Sequence, residues 1–220
     1  MRAVRAVAAA LLLVALSAAA QDPRQLLEQA RKRWQDSPHG PMLERILPPT
    51  FEPRQLPEPG SPGADLVLRY CVQCHNLPNP AMHERAKWPA VFERMVLRMR
   101  GRGNMGALMK DMMAGVSAPS VEEAATLLAY LQKHAQRPLD PIRTPVNTPE
   151  AQSFRLACQQ CHVLPDPRRH TASEWPAVVA RMQRNMEWMN RVVGNRHPPD
   201  EPQLRVEEID AYLKRYARRN

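Results

Sequence analysis

Aromatic residues make up only 5% of the 220-residue sequence, too few to suggest a base-stacking surface, and no nucleic-acid motif is present. After the first twenty residues no run is apolar enough to span a bilayer. No period-two alternation marks a strand. Carboxylates are scattered rather than paired, and none of the usual catalytic constellations can be assembled. Cysteine is limited to four residues, all in two short motifs, which leaves no thiol for a disulfide framework.

The first positive signal lies at the N-terminus. Arg2 and Arg5 precede an apolar run from Ala6 to Leu16, and Ala18-Ala19-Ala20 offers a small-residue cleavage site. This is the pattern of a secretory signal peptide over residues 1–20, an uncleaved N-terminal anchor being the alternative. Without those residues the chain keeps 29 basic against 22 acidic residues, a balance of +7. That bias suits an acidic partner or an anionic surface, and a plain solvated surface equally well.

The four cysteines fall in Cys71-Val72-Gln73-Cys74-His75 and Cys158-Gln159-Gln160-Cys161-His162. C-x-x-C-H is the attachment signature of c-type haem. Two thiols at this spacing form thioethers with the porphyrin vinyl groups, and the adjacent histidine reaches the iron as proximal ligand. The sequence therefore predicts two covalently attached haem c groups, one on Cys71, Cys74 and His75, the other on Cys158, Cys161 and His162. Two zinc sites fit less well, because 84 residues separate Cys74 from Cys158 and the histidine after each pair suits haem. Haem attachment to this motif takes place outside the bacterial cytoplasm, so motif and signal both point to the periplasm.

Adding 87 to the residue number aligns the two halves without a gap for some thirty-six residues. Leu77, Pro78, Pro80 and His83 map to Leu164, Pro165, Pro167 and His170. Trp88, Pro89, Ala90 and Val91 map to Trp175, Pro176, Ala177 and Val178, and Arg94, Met95 and Met99 to Arg181, Met182 and Met186. One haem-binding unit has been duplicated. Each unit spans only about seventy residues, too few for one apolar core to supply more than about 3–5 kcal/mol, so the haem is expected to complete the core of each.

The spacing predicts an all-α protein. In each unit a first helix (Ala64–Tyr70, Ala151–Ala157) runs into the motif. A proline-broken loop follows, then a helix opening at Trp88-Pro89 or Trp175-Pro176, with proline tolerated in its first turn. A last helix starts near Val121 or Val206, early acids suiting its N-terminus. The expected organisation is a signal peptide at 1–20 and a proline-rich N-terminal extension at 21–62. The first unit covers 63–137, a proline-rich linker 138–149 and the second unit 150–220. In the extension a short helix is expected over Gln25–Trp34, with Leu26, Leu27, Ala30 and Trp34 on one face. Ile46, Leu47 and Phe51 are candidate anchors of the extended arm that follows.

The sixth iron ligand separates an electron carrier from a gas binder or peroxidase. Met95 and Met99, and Met182 and Met186, lie four apart on the second helix of each unit, on one face; only one of each pair can bind iron. His83 and His170 also repeat, but each lies eight residues beyond its proximal histidine in a proline-rich loop. Arg94 and Arg181 suit haem propionates or solvent. Trp88 and Trp175 suit packing against the haem or the last helix. The first unit departs from the second after Met99, where Gly101-Arg102-Gly103-Asn104-Met105-Gly106 and then Met109, Met112 and Met113 have no clean counterpart. Met105 is a further candidate ligand, and the methionine cluster suits a soft metal such as Cu(I) or a helix packing face.

C-x-x-C-H, then tryptophan, then methionine seven residues on, then a last helix with Tyr-Leu resembles the class I cytochrome c domain. The arrangement is similar to that of short bacterial mono- and dihaem cytochromes, including the cytochrome subunit of sulfite dehydrogenases. The resemblance covers about 150 of the 200 residues left after the signal. It implies two tandem class I cytochrome c-like domains with Met95 and Met182 as sixth ligands, Met99 and Met186 being the alternatives. The expected function is single-electron transfer between periplasmic redox partners, a donor dehydrogenase or cytochrome and an acceptor cytochrome or oxidase, without catalysis by the chain itself. The alternative is a dihaem peroxidase-like or gas-binding protein with one open iron site, which would need a displaceable ligand and an acid–base group.

Overall fold

Serine and proline set the helix starts. Ser61 Oγ accepts from the Ala64 N–H at 3.3 Å, and Pro62 occupies the first turn of the helix Pro62–Tyr70. Proline suits that turn because its missing N–H would have no intrahelical partner there. Ser120 and Glu123 form a reciprocal capping box at 3.2 and 2.9 Å that opens the helix Val121–Lys133.

The computed structural model describes residues 22–38, 40–42, 52–103, 105–107, 110, 113–193 and 205–219. The helices are α1 (Pro23–Gln35), α2 (Pro62–Tyr70), α3 (Trp88–Met99), α4 (Val121–Lys133), α5 (Gln152–Cys158), α6 (Trp175–Val193) and α7 (Val206–Arg215). Among the described residues there is no strand, only three isolated bridges. The protein is all-α, as the spacing predicts. The signal segment and the arm residues Ile46, Leu47 and Phe51 lie outside the described residues, and so do the side chains of Leu26, Leu27, Ala30 and Trp34 on α1. So do Asn104, Met109 and Met112. Among the described residues no helix is long and apolar enough to cross a membrane.

Two apolar clusters form, one per repeat. In the first, Val67 of α2, Phe92 of α3 and Leu127 and Leu131 of α4 meet. In the second, Phe154 of α5, Val179 of α6 and Ile209 and Leu213 of α7 take the matching places. Full burial of such a side chain stabilises by about 1.5–3 kcal/mol. α1 lies against α2 and the turn that follows it.

Both proline-rich segments belong to these clusters at their ends. Leu56 is buried in the first, and Leu139 and Val146 pack on the second. The Tyr130 hydroxyl donates to Pro57 O at 2.6 Å, and the Tyr212 hydroxyl to Pro145 O at 2.8 Å. The repeat thus begins earlier than the residue-by-residue alignment indicates, inside the extension and inside the linker. Their proline density made these stretches read as spacers; what binds them is a backbone carbonyl, which leaves no trace in residue identity.

α3 and α6 start alike and end differently. Gly101 has a φ of 67°, its N–H bonds Arg98 O at 2.9 Å, and Arg102 N–H bonds Leu97 O at 2.8 Å. This Schellman stop requires the left-handed conformation that glycine adopts freely. The matched position in the second repeat is Trp188, and α6 runs on to Val193.

Candidate functional site

Each C-x-x-C-H stretch lies where a helix gives way to a tighter turn. α2 ends at Tyr70 and the chain winds into a 3-10 turn, Cys71–Gln73; α5 ends on Cys158 itself. In each pair the second cysteine adds to the effect of burial on the first. Burial, with Cys74 adding to it, pushes the Cys71 thiol up to about 12, and burial pushes Cys74 up to about 11 despite Arg33 nearby. Burial and the neighbouring Cys161 push Cys158 up to about 12, and burial raises Cys161. Such thiols stay protonated at neutral pH and are poor cation ligands, since the thiolate is the metal-binding form. A neutral sulfur engaged in a thioether carries no such penalty. Cys74 Sγ lies 3.8 Å from Met113 Sδ. Among the described residues no group of three or more His, Cys, Asp and Glu side chains is placed to hold a metal ion.

The two histidines share one geometry. His75 Nδ1 lies 2.7 Å from Asn76 O, and His162 Nδ1 lies 2.8 Å from Val163 O. A carbonyl only accepts, so the hydrogen sits on Nδ1 and Nε2 keeps its lone pair. That is the tautomer a metal-binding imidazole needs. Burial lowers the His75 pKa, which also favours the neutral, ligating form.

The second helix of each unit carries the methionines. Val91, Phe92, Val96 and Met99 of α3 pack into the first cluster; Met95, between Val91 and Met99 around the helix, is half-buried and not among the cluster's residues. Met182 and Met186 are both half-buried and outside the second cluster. Met105 is half-buried as well. Met95 and Met99 share one face of α3, and only Met99 touches the first cluster; neither Met182 nor Met186 touches the second.

The tryptophans hold the intervening loop. Trp88 Nε1 donates to Pro80 O at 2.9 Å and Trp175 Nε1 to Pro167 O at 2.8 Å. His83 stands edge-on to Trp88 at 5.0 Å and His170 to Trp175 at 4.9 Å. Their backbone carbonyls accept from Gln136 N–H and Arg218 N–H, both at 2.9 Å.

Arg94 is exposed, but Arg181 is half-buried, with its pKa lowered by burial and by nearby Arg184. Arg181 Nε and Trp188 Nε1 are buried donors with no hydrogen-bond partner among the described residues. They stand seven residues apart, on one side of α6. A buried guanidinium and indole with free N–H groups are suited to a carboxylate such as a haem propionate. Protonated thiol pairs, imidazoles with free Nε2 and these donors form a set that fits c-type haem.

Several contacts have no signature in sequence. Gln73 is buried; its Nε2 donates to Ser117 O at 2.9 Å and its Oε1 accepts from Ser117 N–H at 2.8 Å. Gln136 enters the second motif from the first unit. No protein-family model, curated protein or solved structure matches the chain.

Proposed function

We propose that the protein is an exported dihaem c-type cytochrome, built from two class I cytochrome c-like domains, that passes single electrons between redox partner proteins. The observation that carries this reading is the repeated C-x-x-C-H, each with its histidine tautomer set to leave Nε2 free. Cys71 and Cys74 would hold one haem and Cys158 and Cys161 the other, with His75 and His162 as proximal ligands. Met95 and Met182 are the sixth ligands in this reading, with Met99 and Met186 as the alternatives. Bound haem supplies a one-electron change at iron. The chain's own part would be to hold His75, Met95, His162 and Met182 in place, to exclude water with the apolar clusters, and to offer donors such as Arg181 to the propionates.

Pyridine haemochrome analysis of the exported protein should give two haems per chain. The oxidised protein should show the sulfur-to-iron band at two equivalents, and the reduced protein should be slow to bind carbon monoxide. Replacing Met95 or Met182 by Ala should open one haem each. Rapid carbon monoxide binding at one haem of the unsubstituted protein would overturn the carrier reading in favour of an open iron site.

A further inference from the structure

We propose that Gln136 is a positioning residue for the proximal histidine of the second unit, and that through it the first unit tunes the second haem; this rests on the haem reading above. Gln136 is 4% exposed and follows the end of α4. Its backbone N–H donates to His83 O in the first unit at 2.9 Å. Its side chain crosses to the second unit, where Nε2 donates to Val163 O at 2.5 Å and lies 3.3 Å from His162 Nδ1.

Val163 O therefore serves two donors, Gln136 Nε2 and His162 Nδ1. The hydrogen on Nδ1 leaves that nitrogen no lone pair for the amide, so the 3.3 Å approach is a packing contact and the shared carbonyl is the link. An acceptor divided between two donors binds each less strongly. His162 Nδ1–H is less polarised, the imidazole donates less charge to a metal, and the ferrous state gains relative to the ferric. Partners at the far nitrogen of a ligating histidine act on its basicity in this way.

The strap carrying Gln136 is fixed independently. Arg169 donates to Ala135 O at 3.2 Å and to His134 O at 3.3 Å, and Leu139 N–H donates to Leu164 O at 3.0 Å. The matched residue of the second unit, Arg218, repeats the backbone bond to His170 but sends its guanidinium to Glu174 at 3.7 Å. The duplication thus yields inequivalent haem sites at one identified residue.

The test is a redox titration of the dihaem protein, with the second haem identified from a Cys158→Ser/Cys161→Ser variant that lacks it. Gln136→Leu should lower the potential of the second haem alone, by about a three- to tenfold change in its reduction equilibrium, or roughly 30–60 mV at 59 mV per tenfold. Arg169→Ala, which loosens the same strap without touching His162, should leave both potentials in place. No shift, equal shifts of both haems, or an equal effect of Arg169→Ala overturns the proposal. In the unsubstituted protein the Gln136 side-chain amide resonances should move strongly on oxidation of the second haem; a shift no larger than that of surface glutamines also overturns it. Absence of covalent haem, read by haemochrome before any variant is made, overturns the underlying reading and the proposal with it.

Discussion

Gln73 and Gln160 hold the same place in the two motifs and do different work. Gln73 is buried and ties the first motif to Ser117 through both ends of its amide. Gln160 is exposed and its Nε2 returns to Leu156 O at 3.0 Å, in the last turn of the adjoining α5. The same division recurs at the helix ends. α3 is stopped by Gly101, while α6 passes the matched Trp188 without a break. α4 has a serine-glutamate capping box; α7 begins after Arg205, which offers no side-chain cap. The first unit is built to hold its motif with its own residues. The second borrows, taking Gln136 and the strap from the first.

The largest break in this comparison should come from the cysteines. The chain with all four replaced by Ser should lose most of its native helicity by far-ultraviolet circular dichroism, because each unit alone has a small core. Replacing only Cys158 and Cys161 should melt the second unit and spare the first. Full native helicity in the fourfold variant would leave the proposed haem without a structural role.

Gly63 offers the next test. A Cβ there would stand 2.4 Å from Tyr130 Cβ, so α2 and α4 approach closely only because the side chain is absent. Gly63→Val should destabilise the first unit by about 3 kcal/mol through overpacking, read as a fall in its unfolding midpoint. The matched Glu150 is exposed, and Glu150→Val should change stability by no more than about 0.5 kcal/mol. Equal effects would mean that the two helix crossings are the same after all.

The smallest effect sharpens the cap contrast. Ser120→Ala removes the acceptor for Glu123 N–H and should cost about 1 kcal/mol. Arg205→Ala breaks an exposed 2.9 Å pair with Glu208 and should cost about 0.5 kcal/mol or less. Denaturant titration of the two variants separates these values.

Much of the fold was legible because its signals are local. Trp-Pro marks the start of α3 and α6, and early acids mark α4 and α7. The motifs placed both cysteine pairs and both histidines at helix ends without any knowledge of the fold. The methionines were less legible: residues four apart share a helix face, and only packing shows that Met99 touches the first cluster. Gln73, Gln136 and the two tyrosine bonds were illegible because their partners are backbone carbonyls and amides, identical along the whole chain. The alignment offset also changes, from 87 through the second helix to 82 between Tyr130 and Tyr212, so the last helix escapes a gapless comparison.

The bonds from Tyr130 to Pro57 and from Tyr212 to Pro145 have a consequence for chain entropy. Fixing the backbone of an ordinary residue costs about 1–2 kcal/mol in lost freedom. A proline has already given up its φ in the unfolded chain and loses less. The segments before α2 and before α5 hold Pro53, Pro57 and Pro59, and Pro138, Pro141, Pro145 and Pro149. Each is stiff before it is laid down, and one of its carbonyls accepts the tyrosine hydroxyl. A single phenol per unit can therefore fasten a long strap at small entropic loss.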